Sequence, residues 1–171
     1  KRAFWITLLA ALCVIGWGQW RLATTITPLE PGVTLRLVQG NIPQKLKWDQ
    51  QKAASNLKHY IDLSIRTKGF ERVTHLIWPE SALPFKLQPD SDLATALGVF
   101  VPEDGALITG AVRQDETTGR IYNGVQALGQ GGHRLASYDK HRLVPFGEFV
   151  PLREWLPLTK ITQGSVDFSR G

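Results

Sequence analysis

Apolar positions along this chain fall into two regimes. From Ala3 to Trp20 (AFWITLLAALCVIGWGQW) the sequence carries no charge. Beyond Thr34, short apolar runs alternate with polar segments broken by Gly and Pro. As a helix rising about 1.5 Å per residue, the first run spans about 27 Å, close to the hydrocarbon thickness of a bilayer. Trp5 near one end and Trp17 and Trp20 near the other sit where aromatic anchors belong. A signal peptide has a shorter apolar core and a small-residue cleavage site, whereas this run ends in Gln19-Trp20-Arg21. A helix buried in a soluble protein is rarely apolar on every face. The pattern therefore predicts a transmembrane helix over residues 1–22, with Lys1 and Arg2 against Arg21 favouring an inside N-terminus and an outside domain.

Residues 23–33, with Pro28 and Pro31, read as a linker. Thr34 to Val38 (TLRLV) predicts a strand that Gly40 and Pro43 end. Asp49 is placed to cap a helix running to about Lys68, with Leu57, Tyr60, Ile61 and Ile65 on one face and Gly69 closing it. Val73 to Trp78 predicts a second strand, ended by Pro79. Ser91 to Phe100 predicts a short helix, and Ala106 to Val112 a third strand. Tyr122 to Leu128 and His133 to Tyr138, joined by Gly-Gln-Gly-Gly, predict a hairpin. Strand, helix, strand, helix, strand and then two paired strands make a layered α/β fold whose sheet ends carry the site.

Composition narrows the function. With 43% hydrophobic residues in a chain of 171, one core is expected. Three of the 20 basic residues flank the apolar run, leaving 17 against 15 acidic residues elsewhere. No basic block or stripe stands out there, so nucleic acid is not an expected partner. The single cysteine, Cys13, excludes a disulfide framework and lies inside the apolar run. The four histidines are scattered without zinc spacing, so neither a metal nor another cofactor is expected.

Two stretches hold the candidate chemistry. In Leu76-Ile77-Trp78-Pro79-Glu80-Ser81, a carboxylate follows a strand directly, with Pro79 fixing the backbone before it. Packing beside Trp78 and Pro79 is expected to desolvate Glu80 and raise its pKa toward that of a working base. The plain alternative is a helix cap or a surface glutamate. In Tyr138-Asp139-Lys140-His141-Arg142-Leu143-Val144-Pro145-Phe146-Gly147-Glu148, Lys140 offers a fixed cation for a developing oxyanion, or is simply an exposed lysine. Glu148 is either a second carboxylate orienting that lysine or a loop residue among packing phenylalanines. Trp48, just before a helix start, reads as a hydrophobic staple or as a substrate contact. The run from Leu143 to Leu158 is apolar for a loop broken by prolines, suited to covering a core or meeting lipid.

Together these stretches resemble the apolipoprotein N-acyltransferases, bacterial inner-membrane enzymes whose soluble domain has the nitrilase (carbon-nitrogen hydrolase) fold. The matching segments are Val38-Gln39-Gly40-Asn41-Ile42-Pro43-Gln44, Leu46-Lys47-Trp48-Asp49, Ile77-Trp78-Pro79-Glu80-Ser81, the block from Tyr138 through Leu152, and Phe168-Ser169-Arg170-Gly171. They run in order over most of the chain from residue 34. The Pro-Glu-Ser element alone would suggest only the superfamily; the Lys140-to-Leu152 block is more specific.

The resemblance implies a nitrilase-like α-β-β-α sandwich, of which residues 34–171 would be the N-terminal part. It implies a Glu-Lys-Cys triad with Glu80 as general base and Lys140 as the oxyanion-stabilising cation. Glu148 matches a further acidic site residue, and Trp48 a tryptophan near the substrate. The family's nucleophilic cysteine follows the lysine by some dozens of residues, beyond Gly171, and family members carry further membrane helices. With no Met present, the chain is expected to be an internal piece of a longer protein, inactive by itself and with an exposed sheet edge. The implied reaction moves a fatty acyl group from a phospholipid to the N-terminal α-amine of a diacylglyceryl-cysteine apolipoprotein, through a cysteine thioester. The implied location is the bacterial inner (cytoplasmic) membrane, with the soluble domain on the periplasmic side. The rival readings are a membrane-anchored nitrilase-superfamily amidase and a non-catalytic membrane-anchored binding module.

Overall fold

The computed structural model describes residues 1–26, 28–43, 46–47, 49–83, 85–151 and 167–171. The chain divides into two compact units, Lys1–Pro31 and Gly32–Gly171.

The first unit is a single helix, α1 (Arg2–Thr24), none of whose residues is buried. It extends past Trp20 because nothing in Arg21-Leu22-Ala23 opposes helix formation. At its end the hydroxyls of Thr24 and Thr25 donate to the Trp20 and Arg21 carbonyls at 2.8 and 2.6 Å. The Arg21 carbonyl also accepts from the Thr25 amide at 2.9 Å, so the hydroxyl is a second donor at the helix end. The helix is long and apolar enough to cross a membrane.

The second unit is built on one sheet of five strands in the order β1 (Leu35–Leu37), β2 (His75–Ile77), β3 (Ala106–Gln114), β4 (Ile121–Leu128) and β5 (Arg134–Asp139). β1, β2 and β3 pair parallel, and β3, β4 and β5 pair antiparallel. Parallel neighbours need a crossover, supplied by α2 (Gln50–Ile65) between β1 and β2 and by α3 (Asp92–Gly98) between β2 and β3. Both helices start at side-chain caps. Asp49 accepts from the Gln51 amide, and Ser91 accepts from the Ala94 amide.

Register places Leu76, Leu107 and Leu128 in one row across β2, β3 and β4. Each is almost fully buried, in a core shared with Tyr60 of α2 and with Ala94 and Leu97 of α3. That face is therefore the helix-covered one. Alternation sends Leu35, Leu37, Val125 and Tyr138 to the opposite face, where all four are exposed. Among the described residues β5 pairs only with β4, and its side chains from Arg134 to Tyr138 are exposed.

α2 stops at Ile65 rather than near Lys68. The Arg36 guanidinium donates to the carbonyls of Ser64, Thr67 and Lys68, satisfying the end of α2 and the chain beyond it from the neighbouring strand. Gly69, at φ +84°, then opens a short 3-10 turn over Phe70–Arg72 instead of closing the helix. The expected strands, helices and hairpin are otherwise present, with ends moved by one or two residues.

Candidate functional site

Glu80 is positioned by what lies on either side of it. Beyond β2, the Trp78 amide still donates to the Ile108 carbonyl at 2.8 Å, so the strand's path continues along β3. The Trp78 indole points to the helix side, where its Nε1–H donates to Ser64 Oγ at 2.9 Å. Its ring centroid lies 5.2 Å from that of Tyr60. Pro79 begins a tight turn closed by the Ala82 amide on the Pro79 carbonyl at 3.2 Å, with Ser81 at φ +56°. This turn crosses β3 at Gly110, where a Cβ would stand 2.6 Å from Glu80 Cα and 2.7 Å from Pro79 O. Only glycine admits so close a backbone approach. Glu80 therefore emerges on the open face of the sheet.

Lys140 follows the last residue of β5. Asp139 before it is gripped by Arg113 of β3, whose Nε donates to Oδ1 at 3.2 Å and whose Nη2 donates to Oδ2. The guanidinium also lies over the Tyr122 ring, 4.6 Å from its centroid. The Lys140 amide donates to the Asn123 carbonyl at 2.8 Å, fixing the backbone beside β4. Glu148 sits in a compact turn in which its amide donates to the Val144 carbonyl and its Oε2 accepts from the Val144 amide, both at 2.8 Å. Phe146 takes φ +61° in that turn, a left-handed conformation costly for a bulky residue.

These three segments converge. Lys140 Nζ donates to Glu80 Oε1 at 3.2 Å and to Glu148 Oε1 at 3.0 Å. Asn123 of β4 joins them, its Nδ2 donating to Glu80 Oε1 and Glu148 Oε1, each at 2.8 Å. Glu80, Lys140 and Glu148 are thus brought together at one point. Asn123 was not singled out in the sequence. Its only local signal is a strand-averse residue in a run of Ile, Tyr, Val and Leu, which is buried here and therefore partnered.

Burial differs sharply within the cluster. The side chains of Glu148, Lys140 and Glu80 are 13%, 31% and 62% exposed. The expected desolvation of Glu80 is therefore not found: Trp78 turns its ring to the opposite face, and the tight turn lifts Glu80 outward. For Glu148, burial pushes the carboxyl up, but the Val144 amide, Asn123 and Lys140 together outweigh it and hold it below the ordinary glutamate value. For Lys140, burial pulls the ammonium down, while the hydrogen bonds and charges of Glu148 and Glu80 prevail and hold it above its ordinary value.

The two carboxylates are chemically unequal. Both Glu148 oxygens are engaged, Oε1 by Lys140 and Asn123 and Oε2 by Val144. Glu80 receives its hydrogen bonds on Oε1 only, so among the described residues Oε2 is left to accept a proton. Lys140 spends two N–H groups on the carboxylates and, among the described residues, has a third to offer an incoming oxyanion. Among the described residues no cluster of His, Cys, Asp and Glu could hold a metal ion. Trp48 lies outside the described residues, as do 152–158 of the apolar loop. Within the described part of that loop, Val144 and Phe146 are exposed and Val150 is buried.

The family model described as carbon-nitrogen hydrolase matches residues 34–167. Among curated proteins, the apolipoprotein N-acyltransferase of Rhodopseudomonas palustris is 36% identical over 92% of this chain and 32% of its own length. That of Rickettsia typhi is 32% identical over 96% of this chain and 33% of its own length. The chain thus spans about a third of the length of the curated relatives it matches. Among solved structures, Saccharomyces cerevisiae Nit3, a member of branch 10 of the nitrilase superfamily, aligns with a TM-score of 0.47 at 18% identity. That alignment covers 65% of this chain and 45% of Nit3.

Proposed function

This chain belongs to the carbon-nitrogen hydrolase family, and from that premise we propose that it supplies the base and the cation of a lipoprotein N-acyltransferase. The observation that carries the proposal is Lys140 Nζ held between Glu80 and Glu148, with Glu80 Oε2 and one ammonium N–H left over among the described residues. Curated relatives bearing the apolipoprotein N-acyltransferase name support the same reading, as does a helix long and apolar enough to cross a membrane.

In this proposal the nucleophile is a cysteine thiol from elsewhere in the whole protein, since Cys13 lies in α1. Glu80 Oε2 takes the thiol proton as sulfur attacks the ester carbonyl of a phospholipid. The carbonyl oxygen becomes an oxyanion facing the third N–H of Lys140. Collapse breaks the ester C–O bond, Glu80 returns the proton to the departing glycerol oxygen, and a lysophospholipid leaves a thioester behind. In the second half, the N-terminal α-amine of a diacylglyceryl-cysteine apolipoprotein attacks the thioester carbonyl. Glu80 removes the amine proton, the C–S bond breaks, and the thiolate is reprotonated. Glu148 has no free oxygen in this scheme and acts by fixing Lys140. The proposed setting is the bacterial inner membrane, with the domain on the periplasmic side and a bilayer supplying the acyl donor.

The test uses the whole protein with a radiolabelled phospholipid. Glu80→Gln is expected to abolish thioester formation and transfer, and Lys140→Ala to slow both by about 100-fold or more. Near-normal transfer by Glu80→Gln would remove the base assignment. Release of free fatty acid without amide formation would point to a hydrolase instead.

A further inference from the structure

Asn123 Nδ2 touches both carboxylates of the site and does so from within a strand. It lies 2.8 Å from Glu80 Oε1 and 2.8 Å from Glu148 Oε1, while its backbone carbonyl accepts from the Lys140 amide at 2.8 Å. One residue of β4 therefore contacts all three charged members. The atom facing the glutamates must be the amide nitrogen, because an amide oxygen would be repelled by both anions. Its two hydrogens match the two acceptors one to one.

We propose that Asn123 is the positioning residue of this site, a rigid double donor that spaces the two carboxylates around Lys140 and turns the unshared oxygen of Glu80 outward. The inference rests on the acyl-transfer reading of the same cluster and assigns within it a role that neither the glutamates nor the lysine can fill. Without a neutral donor between them, two carboxylates sharing one ammonium would repel and separate. Glu80, with an exposed side chain on a turn, has Lys140 as its only other hydrogen-bond donor among the described residues, so Asn123 is what fixes its carboxylate relative to the lysine. Glu148 keeps its Val144 contact, so loss of Asn123 would fall mainly on Glu80. Asn123 is buried and borne on a strand paired on both sides, and such a support holds a reacting group within the tolerance catalysis needs.

The experiment compares Asn123→Ala, Asn123→Asp and Asn123→Ser in the whole protein, with two readouts. The first is competitive amine labelling of Lys140 across pH, read by mass spectrometry, which needs no catalysis. Asn123→Ala is expected to make Lys140 reactive at lower pH, because its carboxylates drift away. Asn123→Asp is expected to delay labelling to higher pH, because a third carboxylate arrives. The second readout is the pH profile of acyl transfer. Asn123→Ala is expected to lose about 100-fold and to shift the acid limb to higher pH. The isosteric Asn123→Asp is expected to do no better, and Asn123→Ser, a smaller single donor that guards against misfolding, to fall between wild type and alanine. If Asn123 merely filled space, aspartate would restore activity and no limb would move, which overturns the proposal. An unchanged Lys140 labelling profile in all three variants overturns it as well. If labelling shifts as expected but the whole protein releases free fatty acid without amide formation, the acyl-transfer reading fails while the clamp by Asn123 stands.

Discussion

The indole N–H of Trp78 donates to Ser64 Oγ at 2.9 Å, and both side chains are buried. Ser64 Oγ in turn donates to the Tyr60 carbonyl one helical turn back, so α2 and the end of β2 are joined through one hydroxyl. Two residues after Trp78 comes Glu80. The bond thus ties the helix layer to the turn that presents the proposed base.

Removing the hydroxyl leaves the Trp78 N–H buried and unpaired. Ser64→Ala is expected to cost about 1–3 kcal/mol, read as a lower urea midpoint with an unchanged slope. Trp78→Phe in the Ser64→Ala background should then cost less than it does alone, because the orphaned donor is gone. Additive losses would contradict the coupling.

Gly110 sets the distance between β3 and the Glu80 turn. A Cβ there would meet backbone atoms of Pro79, Glu80 and Ser81 at 2.6 to 2.8 Å, and none of these is a flexible side-chain end. Gly110→Ala is expected to destabilise by roughly 1–3 kcal/mol and to separate Glu80 from Lys140. Differential scanning fluorimetry and the Lys140 labelling profile check the two effects. A variant as stable as wild type would mean that the turn yields freely.

The charged cluster makes stability depend on pH at both ends. Glu148 is held below its ordinary value, so its contribution is complete above about pH 4.5 and is lost as pH falls through the depressed folded value. Lys140 is held above its ordinary value, so its contribution is complete below about pH 10.5 and is lost as pH rises through the raised folded value. Glu148→Gln should therefore cost about 1–3 kcal/mol at pH 7, with the gap to wild type narrowing below pH 4. Denaturant midpoints at pH 3, 5, 7 and 9 test this. A gap independent of pH would show that the amide and carboxylate fill the same role.

Arg113 holds Asp139 by two N–H groups and stacks on Tyr122. Lysine keeps the charge but loses the fork and the planar stack. Arg113→Lys is expected to cost about 1–3 kcal/mol and to lower acyl transfer by loosening the backbone before Lys140. Retained activity with reduced stability would separate the two roles of Asp139.

Elements whose signals are local were legible in the sequence. The charge-free run before Trp20 predicts α1 because nothing in it can stop a helix. Asp49 and Ser91 predict the starts of α2 and α3 because a cap acts within three residues. Pro79 and Gly69 mark breaks for the same reason, although only the packed chain shows that Arg36 ends α2 before Gly69 is reached. Glu80, Lys140 and Glu148 could be singled out as candidates because each sits beside an apolar or proline-bearing stretch, with the plain surface readings left open. What is carried by register was not legible. Asn123 meets Glu80 only because β4 lies antiparallel to β3 with Val112 opposite it, and Arg113 meets Asp139 only because two further pairings align them. Nor could sequence decide that Trp78 faces the helices while Glu80 faces solvent, since alternation puts residues two apart on one side and only the turn begun by Pro79 separates them. The sequence by itself determined the helices and the strands, because propensity, capping and periodicity act over a few neighbours, and it offered the three charged residues as candidates. Tertiary structure alone decided which oxygen of which glutamate remains free among the described residues, because that depends on donors from β4, the chain after β5 and the Val144 turn meeting at one point.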